Sequence, residues 1–109
     1  MKRKPIVRRR KADGDIESTV AYYQVEAGNE TATGFLNQLE SALQSLAKQP
    51  GAGSQRFGHE LDIPGLRQWP LARFPYLIFY VEKSNRIEIV RVLHTSRNVT
   101  ALITLDDTQ

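Results

Sequence analysis

The stretch IEIVRVLHTSRN, residues 87–98, places a histidine and an arginine three positions apart at the end of an alternating apolar run. His94 can take up or release a proton near neutral pH and Arg97 can hold an anion beside it, so the pair has the composition of a small acid–base site. Arg67, Arg73 and Arg91 lie in the same half of the chain, and Arg56 and His59 precede them. A plainer reading is structural. A histidine at a strand end, followed by Thr95 and Ser96, can bond to the backbone of a turn into a last helix, and Arg97 can pair with a carboxylate or lay its stem on apolar surface. His59 and Glu60 make a weak metal signal, because the two histidines are 35 positions apart and the chain has no cysteine. There is no glycine-rich phosphate loop and no Ser/His/Asp constellation, and Gly51-Ala52-Gly53 reads as a turn. No cofactor or metal is expected.

These side chains need elements to position them. KPIVRRR, residues 4–10, reads as a short edge strand, with Pro5 suited to a strand start. Ala12, Ile16, Val20 and Tyr23 then recur at spacings of four and three and draw one apolar stripe on a helix. Asp13, Asp15 and Glu17 fall in its expected first turn, where the helix dipole favours negative charge. Gly28 is a terminator and Asn29 an expected N-cap for a second helix. In that helix Ala32, Phe35, Leu36, Leu39, Leu43 and Leu46 form the stripe, and Pro50, Gly51 and Gly53 end it. Residues 51–65 read as a loop by composition. Residues 66–72 are expected as a strand interrupted by Pro70, and residues 76–83 as a central strand apolar on both faces. Ser84-Asn85 makes a turn, and residues 86–94 return as the partner strand. Strict alternation puts Glu88, Val90, Val92 and His94 on one face, with Ile87, Ile89, Arg91 and Leu93 on the other. SRNVTALITL is a short amphipathic last helix that carries Arg97. The fold class is α+β: one small domain over residues 1–109, with an N-terminal edge strand, an α-helical hairpin packed on an antiparallel sheet of the C-terminal strands, and a short C-terminal helix.

The totals agree with one domain of 109 residues. No disulfide can form, no apolar run approaches a membrane span, and the basic N-terminus has no apolar segment behind it, so a cytoplasmic location without membrane contact is expected. The formal charge of +3 is uneven. Lys2, Arg3, Lys4, Arg8, Arg9, Arg10 and Lys11 make residues 1–11 a basic arm, whereas residues 12–109 hold eight basic and twelve acidic residues, a net of −4. The arm invites a DNA contact. The simpler reading is a solubilising edge strand, since no aromatic is at hand to stack a base.

The ordered set Ala12, Asp15, Ile16 and Tyr22-Tyr23, then Leu46, Pro50 and Gly53, then Tyr76-Leu77-Ile78-Phe79-Tyr80, and finally Ile87, Ile89, Arg91, Val92, Leu93, His94 and Arg97 resembles the ParE branch of the RelE/ParE superfamily of type II toxins. The likeness runs over roughly residues 5–102. It implies a toxin held inactive by a ParD-like antitoxin, a ribbon-helix-helix DNA-binding protein. ParE-like members poison DNA gyrase and RelE-like members cut mRNA on the ribosome, so the shared fold does not choose between them.

RNA cleavage of the RelE kind needs a base, an acid and cations to hold the phosphate, and Arg73, His94 and Arg97 are the candidates for it. The supply of cations is thin, and the net −4 outside the arm suits ribosomal RNA poorly. The reading taken is a toxin that binds gyrase and is not an enzyme. His94, Arg97 and Asn98 are the expected target contacts, and Tyr22, Tyr23, Trp69 and Phe74 the expected antitoxin contacts. The antitoxin's tail is expected to lay a helix on the hairpin and add contacts along the sheet. The alternatives are an mRNA interferase and a degenerate, non-toxic interaction module.

Overall fold

The computed structural model describes residues 3–106, so Lys2 of the basic arm lies outside the described residues. The chain runs β1 (Ile6–Arg8), α1 (Arg10–Glu26), α2 (Asn29–Lys48), a single 3-10 turn (Pro50–Ala52), α3 (Arg56–Leu61), β2 (Leu66–Pro70), β3 (Tyr76–Glu82), β4 (Ile87–His94) and α4 (Val99–Asp106). The four strands form one mixed sheet in the order β1-β4-β3-β2. β1 pairs parallel with β4, while β2–β3 and β3–β4 are antiparallel. This is the expected α+β architecture, with the hairpin of α1 and α2 on one face of the sheet.

The helical stripes are largely as read. α1 buries Ala12, Ile16 and Thr19, and α2 buries Ala32, Phe35, Leu39, Ala42, Leu43 and Leu46. They meet Ile78, Tyr80, Ile87, Ile89 and Val92 in one core. Fully burying one such side chain stabilises by about 1.5–3 kcal/mol, so this face dominates the fold. Leu36, expected in the stripe, is instead 41% exposed. α1 starts at Arg10, earlier than its stripe suggested, so only Asp13 occupies its first turn and Asp15 is free to face β4. Asn29 is the first residue of α2 and makes no cap bond.

The opposite face carries a second core of Leu66, Phe79, Val81, Val90, Leu93, Val99 and Ile103. β3 is therefore buried on both sides, as its unbroken apolar run requires. α3 helps to cover this face and corrects the loop expected over residues 51–65. The residue that hid it is Gly58, a poor helix former. Packing demands it there, since an added Cβ would meet the Leu66 carbonyl oxygen at 2.5 Å.

A bulge changes the alternation on β4. Phe79 pairs with Arg91 but Tyr80 pairs with Ile89, leaving Val90 as an extra residue. Val92 consequently joins Ile87 and Ile89 in the hairpin-side core, and Val90 joins Leu93 on the other side. Strict counting by twos fails at that point. β2 ends at Pro70, which an edge strand tolerates because its missing N–H has no ladder partner to supply.

Candidate functional site

A cleft of about 490 Å³ opens between α1 and the end of β4. Asp15, Ser18, Thr19, Tyr22 and Tyr23 form its α1 wall, Tyr76 comes from β3, and Arg91 to His94, Ser96 and Arg97 complete it. The bulge helps to build it. Arg91 reaches α1, where its Nε donates to Asp15 Oδ2 and its Nη2 to Oδ1, both at 2.7 Å. The Val92 N–H donates to the same Oδ2 at 3.0 Å. The two side chains are only 12% and 13% exposed. A bidentate, charge-assisted pair of this kind fixes geometry as well as adding energy, and here it fixes α1 to β4.

An aromatic cluster supports the cleft. Tyr23 lies against Phe74 and Tyr76, with ring centroids 5.5 and 6.4 Å away, and Phe35 packs on Phe74 and Tyr76. Burial, followed by the neighbouring Tyr76 phenol, pushes the Tyr23 phenol above its usual pKa, so it stays protonated. Tyr76 in turn presents a T-shaped contact to His94, centroids 5.0 Å apart. β3–β4 register places those two residues opposite each other.

His94 closes the turn into α4. Its Nδ1 accepts the Ser96 N–H at 3.0 Å, with the Ser96 Oγ at 2.7 Å. A backbone N–H can only donate, so Nδ1 carries the lone pair and the ring proton of the neutral imidazole sits on Nε2. Arg97, expected on the last helix, lies instead in the turn before it, because α4 starts only at Val99. The Arg97 backbone N–H donates to the His94 carbonyl at 3.0 Å, and its guanidinium has no ion pair among the described residues. Asn98 caps α4, its Oδ1 accepting the Ala101 N–H at 3.2 Å.

Of the three residues named for RNA cleavage, the cleft brings together His94 and Arg97 but not Arg73. Arg73 is exposed in the β2–β3 connection at φ 70°. Arg67 donates to the Gly53 carbonyl at 2.8 Å, and Arg56 pairs with Glu60 on α3. His59 also lies on α3, away from the cleft, and no group of three metal-ligating side chains occurs among the described residues. No helix of the described residues is long and apolar enough to cross a membrane.

None of the four aromatics named for antitoxin contact is fully buried. Tyr22 is 59% exposed, while Tyr23, Trp69 and Phe74 are half-buried against the hairpin-side core. Tyr22 shares α1 with Val25, 81% exposed. Tyr80 is wholly buried. Sequence reasoning did not place Asp15, Ser18 or Tyr76 in the site. For Tyr76 a signal existed: counting back from the Ser84-Asn85 turn sets it close to His94.

The basic arm is largely engaged within the fold. Lys4 pairs with Glu82 at 2.8 Å, Arg8 with Asp13 at 2.9 Å and Arg9 with Glu88 at 2.7 Å. Arg86 donates to the other Glu88 oxygen at 2.6 Å. The Arg9 hydrogen bonds, reinforced by Arg86 and opposed by burial, hold the Glu88 carboxyl below the usual carboxylate range.

Comparison with known proteins places this architecture. The family model described as "ParE toxin of type II toxin-antitoxin system, parDE" matches residues 6–99. The chain is 31% identical over 98 residues to a protein named Toxin ParE1 from Caulobacter vibrioides, covering 90% of this chain and 96% of that one. A solved structure titled "Chromosomal ParDE TA system from P. aeruginosa" superimposes with a TM-score of 0.71 at 25% identity, covering 84% of this chain and 95% of its counterpart. With α1 clamped to β4 beside the cleft and a fold shared over nearly its whole length, the chain belongs to the ParE toxin family of type II toxin–antitoxin systems.

Proposed function

We propose that this toxin acts by binding DNA gyrase, without catalysis, and that a ParD-like antitoxin neutralises it. The observation that carries the non-catalytic reading is the use made of the cleft's ionic groups. Arg91 is neutralised by Asp15, His94 has committed Nδ1 to the backbone, and Arg97 is the one cleft guanidinium without a carboxylate partner among the described residues. One cation and one imidazole are a weak set for stabilising a dianionic phosphorane. The same groups suit recognition: Arg97 is exposed, Asn98 holds the start of α4, and His94 braces the turn between them. These three are the proposed gyrase contacts.

For the antitoxin, the exposed Tyr22 and Val25 on α1 and the half-buried Tyr23 and Phe74 offer apolar surface for an amphipathic helix, with Trp69 on the same side of the sheet. A DNA contact through the arm would rest on Arg3 and Arg10, since Lys4, Arg8 and Arg9 already hold carboxylates.

The test is induction of the chain without antitoxin, with wild type beside the His94→Ala/Arg97→Ala double variant. Filamentation with DNA-damage signalling, lost in the folded double variant, supports the proposal. Rapid translation arrest with cleaved transcripts would make the chain an RNase. Unchanged growth would make it a non-toxic interaction module. A folded, fully toxic double variant refutes the contact residues.

A further inference from the structure

Two non-glycine residues among the described ones have positive φ, Asp62 at 55° and Arg73 at 70°. Asp62 has a local reason. It is the left-handed C-cap of α3, its N–H donates back to the His59 carbonyl, and aspartate adopts this region more readily than most residues. Arg73 has no such reason. In the left-handed region the Cβ of an L-residue crowds the following carbonyl oxygen. Glycine escapes that cost, and it stands at the other positive-φ positions, Gly28 and Gly65.

The β2–β3 connection imposes the conformation. The Leu71 N–H donates to the Tyr76 carbonyl at 3.0 Å, and the Tyr76 N–H to the Phe74 carbonyl at 2.8 Å. Leu71 is buried, and Phe74 packs on Tyr23 and Phe35. The chain is held on both sides of residue 73, which turns between them. The Arg73 side chain takes no part in this: it is exposed and makes no ion pair or hydrogen bond with a described residue. Strain kept at an exposed position, under a side chain the fold does not use, is characteristic of residues that act on something outside the fold.

Its place indicates what that is. One step beyond the Tyr76–His94 pair, the Thr95 N–H donates to the Pro75 carbonyl at 2.8 Å. Arg73 and Arg97 each lie two residues from that bond, one on either side of it. So short a path keeps their Cα atoms within about 20 Å of each other, inside the span of one protein–protein interface of about 800 Å² per partner. Neither guanidinium has a carboxylate among the described residues. The neighbouring cleft carries one carboxylate, Asp15, which Arg91 already holds.

We infer that Arg73 is a further target contact, and that the protein face it grips together with Arg97 is acidic. This rests on the reading of the chain as a toxin that binds gyrase through Arg97. It adds a residue to that contact and names the charge of the surface recognised.

The test measures the affinity of the full chain for purified DNA gyrase in a binding titration, beside urea unfolding of the same proteins. Arg73→Gly should raise the urea midpoint, because relief of the left-handed strain outweighs the extra freedom of glycine in the unfolded chain. The same variant should bind gyrase about tenfold more weakly, the loss of one charge-assisted hydrogen bond. Arg73→Lys should bind more tightly than Arg73→Gly, and Arg73→Glu more weakly. Full affinity in Arg73→Gly overturns the inference and leaves the gyrase reading standing, whereas a wild-type chain that does not bind gyrase overturns both. A lowered urea midpoint in Arg73→Gly also overturns it, since the side chain would then serve the fold. So does an equal loss of affinity for a duplex oligonucleotide, which would make phosphate the ligand in place of a protein carboxylate.

Discussion

Replacing Asp15 with alanine should be among the most damaging single changes on α1. The carboxylate accepts three hydrogen bonds, two from Arg91 and one from the Val92 N–H, at 2.7, 2.7 and 3.0 Å. Both partners of the ion pair are about seven-eighths buried. Removing one member of such a pair leaves a charge without its counter-ion and costs about 3–5 kcal/mol. A domain of this size has about 5–15 kcal/mol in all, so Asp15→Ala should move the urea midpoint far down without changing the slope of the transition. Arg91→Met removes the stranded charge, and the double variant Asp15→Ala/Arg91→Met should recover about 2 kcal/mol of the sum of the single losses. Circular dichroism during urea unfolding measures all four proteins. A coupling energy within about 0.5 kcal/mol of zero would refute the clamp, because independent residues add to within that margin. Since the pair also fixes the cleft wall, Asp15→Asn should lower target binding more than it lowers stability: it keeps an acceptor for Val92 but loses the charge that orients Arg91.

Two further outcomes follow from the core and the arm. The buried Tyr80 hydroxyl donates to the Pro50 carbonyl at 2.7 Å and accepts the Gly53 N–H at 3.1 Å, so Tyr80→Phe orphans two backbone groups and should cost about 1–3 kcal/mol; thermal melts should show a drop of roughly 4–8 °C per kcal/mol, and an unchanged Tm would contradict the account. Glu88 has a folded-state pKa below its unfolded value, so its contribution is present above the usual carboxylate range and is lost as pH falls through the folded pKa. The stability gap between wild type and Glu88→Gln should therefore narrow from about pH 7 to about pH 3, and a gap that does not change with pH would exclude the Arg9–Glu88–Arg86 arrangement as its source.

The elements that were legible in the sequence are those whose signal is periodic and long. The α2 stripe and the unbroken apolar run of β3 each repeat one physical demand over several turns or residues, and the structure meets both. What stayed hidden depended on single contacts between distant residues. Gly58 reads as a helix breaker until the Leu66 carbonyl is seen against it. The apolar run of β3 includes Tyr80 but gives no sign of the Pro50 carbonyl and Gly53 N–H that surround its hydroxyl. The bulge at Val90 has no marker of its own, since valine fits either side of a strand, yet it turns Val92 inward.

The same distinction explains why the candidate site was only half visible. His94 and Arg97 stood out by their types and spacing and Asn98 by its place at the approach to the last helix, and the structure gives each a backbone bond in the turn before α4. Asp15 could not be named as their neighbour from spacing, because 76 positions separate it from Arg91 and helical periodicity is blind to such pairs. That pairing bears directly on the proposed mode of action. A guanidinium whose charge is already balanced by a buried carboxylate applies a weaker field to a phosphate, while the rigidity it lends to α1 and β4 remains. The cleft thus keeps the shape of a site and little of the charge that phosphodiester chemistry requires. A fold that has used its central arginine in this way is better suited to presenting the exposed Arg97 to a protein surface than to cutting RNA.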